Sequence, residues 1–132
     1  FRRQRQMCIR DRRFVTRERA RGNTYDGFVL DPPSWGHGPK GEAFSIDRHL
    51  ASLLTDCAQL LSPTAQGPIL LTAHSPGWHH QRLATALASA LQAISCKTLP
   101  ISSGPLSCMD LDRRQILLGG FARSSGIGDT SQ

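Results

Sequence analysis

Apolar residues recur at helical spacing along the middle of this chain. The clearest stretch follows Ser45, a predicted N-cap, and stops at Ser62-Pro63, because proline disfavours helix in the residue before it. The apolar positions of this stretch form one continuous helix face: Ile46, Leu50, Leu53, Leu54, Cys57, Leu60 and Leu61. The pattern predicts an amphipathic helix that buries this face, including the small thiol of Cys57.

Two further segments predict helices. From residue 78 or 79 to about residue 94, one face carries Leu83, Leu87, Leu91 and Ile94, with alanines between them that permit close packing. Residues 14–21 are mostly charged and fit the last turns of a helix that ends at Gly22-Asn23. The chain therefore carries helices before and between its short apolar segments.

Those short apolar segments predict strands. Residues 25–31, closed by two prolines, and residues 68–73 are typical of strands buried on both faces, and we expect residues 25–31 to be a central parallel strand. Residues 97–102 and 115–122 predict two more strands, joined by a connection too short for a crossover helix, so this last pair is expected to be antiparallel. The glycine-rich residues 34–44 lack periodicity and predict a loop.

The alternation of strands and helices predicts an α/β fold, with parallel strands joined by right-handed crossovers. This arrangement is half of an open α/β sheet, carried by one domain over residues 14–123 of the 132-residue chain. We expect residues 1–13 to be a basic leader that is non-native or disordered, and residues 124–132 to be a flexible tail.

The net charge of +6 is concentrated at the start of the chain. Residues 1–21 hold nine arginines against two acidic residues, whereas the remaining residues hold seven Lys and Arg against eight Asp and Glu. Two interpretations stay open. An arginine-rich arm would grip RNA phosphates, and residues 1–12 also resemble a translated sequencing-library adapter, which would make them no part of the native protein.

Other classes of site find little support in the sequence. The four cysteines form no C-x-x-C pair, and His79-His80 has no further ligand four residues on, so we predict no metal. The longest apolar runs are far shorter than the ~20 residues of a membrane span, and the chain starts with charged residues rather than a secretory signal. We therefore expect a cytoplasmic protein without a membrane anchor.

Candidate chemistry lies where the two parallel strands end, because ligands bind open α/β sheets beyond the carboxyl ends of the strands. Asp31-Pro32-Pro33-Ser34 follows the first strand and His74-Ser75 follows the next, so the two segments should lie side by side. An aspartate there can accept a hydrogen bond from an amine, and proline carbonyls are acceptors without a competing N–H. The alternative is a plain turn that terminates the strand.

The segment from Tyr25 through Asp31-Pro32-Pro33-Ser34, followed by Gly38-Pro39-Lys40-Gly41-Glu42 and a leucine-rich helix, resembles a known family. It is similar to the C-terminal half of class I S-adenosylmethionine-dependent methyltransferases, nearest to the branch of large-subunit ribosomal RNA methyltransferases, where a D-P-P-[S/K/T] motif closes the fourth strand. The resemblance covers about residues 13–123. It implies a Rossmann-like sheet of which this chain supplies strands four to seven.

The resemblance implies S-adenosylmethionine as cofactor and a base of RNA, ribosomal RNA first, as substrate. Asp31 and Pro32 would line the junction between methyl donor and base and bind the donor, and Asp31, Pro32 and Pro33 would form the catalytic motif. The residues expected at the substrate are Ser34, Trp35, Lys40 and His74. In this assignment Trp35 offers a face on which a base stacks, Lys40 meets a phosphate, and His74 contacts substrate or water.

Two departures from the family limit this assignment. The glycine-rich loop after the family's first strand and the acidic residue after its second have no counterpart, so we expect the chain alone to be inactive. Relatives that methylate cytosine C5 use a cysteine at the end of the fifth strand, where this chain has Ala73-His74-Ser75, which argues against a covalent route. The alternative function is a non-catalytic RNA-binding α/β module that uses the arginine-rich segment.

Overall fold

The computed structural model describes residues 2–37, 43–65, 67–94 and 99–125, with side chains described from Arg12 onward. In these ranges the helices alternate with short strands, as the sequence predicts. The elements in chain order are α1 (Arg2–Arg21), β1 (Phe28–Leu30), β2 (Trp35–His37), β3 (Ala43–Ser45), α2 (Ile46–Gln59), β4 (Ile69–Ala73), α3 (His80–Gln92), β5 (Ser102–Met109) and β6 (Gln115–Ser124).

The main sheet has four strands in the order β1-β4-β6-β5. β1 and β4 are parallel, with Phe28 opposite Ile69 and Leu30 opposite Leu71, and α2 makes the crossover between them. β6 runs antiparallel to both β4 and β5. This topology confirms the predicted α/β class, the parallel pair and the antiparallel last pair.

The core is built from the helix faces that the spacing predicts. The leucines of α2 and α3 form one buried cluster with alternate residues of β4, namely Ile69, Leu71 and Ala73. Cys57 lies in the same cluster, as predicted. Ser45 is the N-cap of α2, although its side chain makes no capping bond and its N–H donates to His49 Nδ1 instead.

The prediction that β1 is a central strand buried on both faces is wrong for the described chain. β1 is an edge strand that pairs only with β4, and the side chain of Val29 is 64% exposed. The helices of the described residues cover the opposite face of the sheet, where the buried residues of β4 point. A continuous apolar run indicates that both faces of a strand are suited to burial. The run does not specify which segment of the chain covers each face.

The glycine-rich segment 34–44 is more ordered than the predicted loop. β2 and β3 form a small antiparallel hairpin in which Gly36 lies opposite Phe44, and Phe44 is buried in the core. Periodicity does not reveal strands of three residues. Lys40 falls outside the described residues.

The predicted strand over residues 97–102 is wrong for residues 99–101, and residues 97 and 98 lie outside the described residues. β5 begins at Ser102, runs through Pro105 to Met109 and, in the part of the chain that the structure describes, pairs with β6 alone. Proline is tolerated on an edge strand, because its missing N–H is not needed for the ladder on the open side. β6 begins at the predicted residue and extends to Ser124, the first residue assigned to the tail.

Helix α1 begins at Arg2, within the segment expected to be a non-native or disordered leader. The origin of that segment stays a prediction. The helix ends where the sequence predicts, since Gly22 adopts φ +73° and the N–H of Asn23 bonds back to the carbonyl of Glu18.

A buried carboxylate fixes the end of α1 to the start of the following segment. Glu18 accepts hydrogen bonds from Tyr25 Oη at 2.6 Å, Asn23 Nδ2 at 2.8 Å and Arg21 at 3.3 Å. The bond from Tyr25 is the main cause that holds the pKa of Glu18 below its ordinary 4.5, and the same bond raises the pKa of Tyr25. The ionised form of Glu18 therefore stabilises the fold.

Glu18→Gln is expected to lower the Tm at pH 7, because the amide brings an N–H group toward three donors. A lowered folded-state pKa gives stability that is present above the unfolded value of 4.5 and is lost as the pH falls through the folded-state value. The difference in Tm between wild type and variant should therefore narrow below pH 4.5 in a calorimetric pH series. Asp56→Asn, which removes the exposed pair with Arg19, is the control and should change Tm little. A difference that stays constant from pH 7 to pH 3 would contradict this interpretation.

Candidate active site

The carboxyl ends of β1 and β4 bring the two predicted segments together. Leu30 pairs with Leu71, so the next residues along the two strands are Asp31 and Thr72, and Thr72 Oγ1 donates to Asp31 Oδ1 at 2.7 Å. His74 Nε2 lies 3.5 Å from the same carboxylate oxygen. The prediction that Asp31 and His74 lie side by side is confirmed.

Asp31 and His74 both remain open to solvent. The side chain of Asp31 is 56% exposed and that of His74 is 54% exposed. The carboxylate is nevertheless oriented, because the hydroxyl of Thr72 holds one of its oxygens. The pair is thus a half-exposed set of hydrogen-bond acceptors that a ligand can reach.

A bulge in β6 fixes the other side of the His74 ring. Leu106 of β5 pairs with Gly119 and Ser107 pairs with Leu117, so Leu118 is the extra residue. The carbonyl oxygen of Leu118 contacts His74 Nδ1. The imidazole is therefore held between the backbone of β6 and the carboxylate that follows β1.

The loop that follows Asp31 is tied to its neighbours at Ser34. Its hydroxyl lies 2.7 Å from the hydroxyl of Ser75, which is buried, and its carbonyl accepts the N–H of Ile46 at the start of α2. Pro32 is buried and Pro33 half-buried. The motif is therefore anchored to the β4 loop and to α2, which is more than a plain turn requires.

Trp35 begins β2, and 55% of its surface is exposed. Its ring meets His37 edge-on, with 5.7 Å between the ring centroids. An exposed indole next to the motif is suited to stacking on a flat ring. Lys40, the remaining predicted substrate residue, lies outside the described residues.

A polar cluster that the sequence analysis missed fixes the loop after His74. Trp78 Nε1 donates to Asp47 Oδ1 at 2.9 Å, and the guanidinium of Arg82 lies 3.7 Å from the centre of the Trp78 ring. His79 is the N-cap of α3 and accepts the N–H of Arg82. No periodic signal reveals the contact between Trp78 and Asp47, because it joins the segment before α3 to the first turn of α2 across 31 residues of sequence.

The chain has no match among protein-family models or curated protein sequences. Two solved structures are similar to it. The SAM-dependent methyltransferase from Agrobacterium tumefaciens is 29% identical, with a TM-score of 0.73 over 86% of this chain and 37% of that protein. SMU.776, a protein assigned to the methyltransferases and solved in complex with SAH, is 15% identical, with a TM-score of 0.51 over 84% of this chain and 29% of that protein.

The chain has part of the class I methyltransferase fold. It spans about a third of the length of the two similar proteins. In this partial methyltransferase fold, the parallel pairing of β1 and β4 puts Asp31 and His74 at the edge where ligands of open α/β sheets bind. The fold therefore supports the choice of this edge as the site.

A cavity of about 410 Å³ opens beside His74 in the methyltransferase fold. Its walls come from the loop after β4, the start of α3 and the hairpin of β5 and β6, and they include Trp78, His80, Pro105 and Leu117. A larger cavity of about 480 Å³ lies between α2 and α3, and neither Asp31 nor His74 lines it. We favour the smaller cavity as part of the site, because His74 lines it.

Neither a metal-binding cluster nor a membrane-spanning helix is found among the described residues. Within ranges 12–37, 43–65, 67–94 and 99–125, no three His, Cys, Asp or Glu side chains lie close enough to hold a metal ion. In the same part of the chain, no helix combines the length and apolar character that a membrane span requires.

Proposed function

We propose that this chain is the C-terminal part of an S-adenosylmethionine-dependent methyltransferase that transfers a methyl group to a base of RNA. The observation that carries the proposal is the oriented carboxylate of Asp31 at the end of β1, within a fold that matches a SAM-dependent methyltransferase at 29% identity. The same edge of the sheet carries the Asp-Pro-Pro-Ser segment on which the resemblance to this family rests.

Asp31 and Pro32 are the residues that would face the cofactor. Both offer oxygen acceptors, which suit a cationic sulfonium and an amino group, so this side of the site fits S-adenosylmethionine. The cofactor supplies an electrophilic methyl group when bound. The resemblance assigns its methionine and ribose parts to segments that this chain lacks, and we expect the chain alone not to bind it.

The chain's own residues act by binding and orientation. Asp31 accepts an N–H of the target nitrogen, which raises the reactivity of that nitrogen, and Thr72 keeps the carboxylate in place. Ser34 and Ser75 hold the proline loop, so that the acceptor is positioned before the reaction. Trp35 provides a surface on which the target base or its neighbour stacks.

RNA is favoured as the substrate by the exposed tryptophan together with the arginines of α1 that follow residue 12. Of the arginines near the end of this helix, Arg19 pairs with Asp56 and Arg21 pairs with Glu18. The first pair links α1 to α2 and the second lies within α1, and the remaining arginines of the helix precede Glu18 in the sequence.

The experiment starts from the original DNA. The reading frame is extended upstream, and the extended protein is incubated with radiolabelled S-adenosylmethionine and either ribosomal RNA, transfer RNA or double-stranded DNA. We expect label in ribosomal RNA, and none with this chain alone. Label in DNA alone would contradict the RNA assignment. Tight RNA binding without any transfer would favour the non-catalytic RNA-binding module.

A further inference from the structure

The hydrogen bond between β6 and His74 determines which nitrogen of the ring carries the proton. A carbonyl oxygen only accepts, so the contact with Leu118 requires a proton on Nδ1. In the neutral ring, Nε2 is then left with a lone pair, and this nitrogen lies 3.5 Å from Asp31 Oδ1. Two acceptors therefore converge on one point at the end of the sheet.

Two adjacent acceptors complement a group with two N–H donors. An exocyclic amino group of a base has two such donors, one for Asp31 and one for His74 Nε2. We propose that His74 is a catalytic residue that accepts the proton lost by the target amine, and that the β6 bulge positions it for this role. The inference rests on the proposed methyl transfer and deepens it by naming the substrate atom as an amino nitrogen.

The amino nitrogen forms a bond to the methyl carbon, and the carbon–sulfur bond breaks with its electron pair left on sulfur. The nitrogen becomes positively charged until its proton moves to Nε2 of His74, and the ring then carries protons on both nitrogens. Asp31, next to Nε2, pairs with the imidazolium that forms.

Gly119 makes this arrangement possible. It adopts φ +150°, and a Cβ at this position would lie 2.1 Å from the carbonyl oxygen of Ala73 and 3.1 Å from the Cα of His74. The absence of a side chain lets β6 approach the end of β4, which brings the Leu118 carbonyl against the imidazole. Leu118 and Gly119 are thus positioning residues.

The other two histidines of the cavity have different partners. Nδ1 of His79 accepts the N–H of Arg82 as the cap of α3. Nδ1 of His80 lies 3.0 Å from the hydroxyl of Ser103 on β5. In the described residues, the carboxylate of Asp31 lies 3.5 Å from Nε2 of His74, so the proton transfer is assigned to this pair.

The first test measures the tautomer and needs neither cofactor nor substrate. Long-range nitrogen–proton NMR spectra of this chain at pH 8, where an ordinary histidine is neutral, should show His74 protonated on Nδ1 alone. His74→Asn assigns the signals by their disappearance. A ring protonated on Nε2 alone, or on both nitrogens at this pH, would overturn the proposal, because Nε2 would have no lone pair to offer.

The second test compares two matched substitutions in the extended protein. His74→Asn removes Nε2 while its amide N–H can still donate to the Leu118 carbonyl, and we expect methyl transfer to fall about 100-fold or more at unchanged Tm. Asp56→Asn, which removes the exposed pair with Arg19 and lines neither cavity, should leave the rate unchanged. Equal rates in wild type and His74→Asn would overturn the role of His74 while the methyltransferase function stands. An extended protein that transfers no methyl group to any substrate would overturn the proposed function itself.

Discussion

Replacement of Gly119 by alanine is expected to destabilise the protein by about 3 kcal/mol. The added Cβ would lie 2.1 Å from the carbonyl oxygen of Ala73, a distance that real Cβ atoms do not show, and the obstacle is backbone that cannot rotate away. The residue also has φ +150°, which a residue with a side chain rarely adopts. Urea denaturation followed by circular dichroism measures the change in the free energy of unfolding.

Gly22→Ala is the matched control. Gly22 also has a positive φ of +73°, and a Cβ there would meet no atom within 4 Å. Gly22→Ala should lower the free energy of unfolding by about 1 kcal/mol, because the positive φ is unfavourable for alanine and no steric clash adds to it. Equal losses for the two variants would show that the close approach of β6 to β4 is not what constrains Gly119.

Asp31→Asn is expected to slow methyl transfer by the extended protein about 100- to 1,000-fold. The amide loses the negative charge that accepts the N–H of the target amine, and it brings N–H groups of its own toward that amine and Thr72. The rate is measured at saturating donor, so that weaker binding of the donor does not enter the comparison.

The control for Asp31→Asn lies at the other end of the same strand. Asp26 precedes β1, is exposed and, among the described residues, makes one side-chain hydrogen bond, at 3.5 Å from Ser62. Asp26→Asn should keep the full transfer rate. Equal rates for the two variants would show that Asp31 takes no part in methyl transfer and that the Asp-Pro-Pro-Ser segment is only a structural turn.

The helices and the sheet topology were predictable because burial imposes a period on the sequence. Leu50, Leu53 and Leu54 in α2 and Leu83 and Leu87 in α3 follow that period and are fully buried. The boundaries of β5 were not predictable, because Ser102 to Met109 on an edge strand has no apolar alternation. The hairpin of β2 and β3 is too short to show a period at all.

The candidate site was predictable in part for a similar reason. The position of Asp31 beside His74 follows from two parallel strands with neighbouring carboxyl ends. The contact of the Thr72 hydroxyl was not predictable, because the pattern of β4 indicates burial and gives no hydrogen-bond partner for its polar residue. The contact of the Leu118 carbonyl was not predictable, because it depends on a one-residue bulge in β6. Backbone groups carry no residue-specific signal in a sequence.

The measurement that tests the central claim most directly is a calorimetric titration of S-adenosylmethionine. The donor is titrated into this chain and into the protein extended upstream from the original DNA. We predict saturable one-to-one binding to the extended protein and no binding to the chain alone. An extended protein that folds and does not bind S-adenosylmethionine would contradict the assignment of this chain to a methyltransferase.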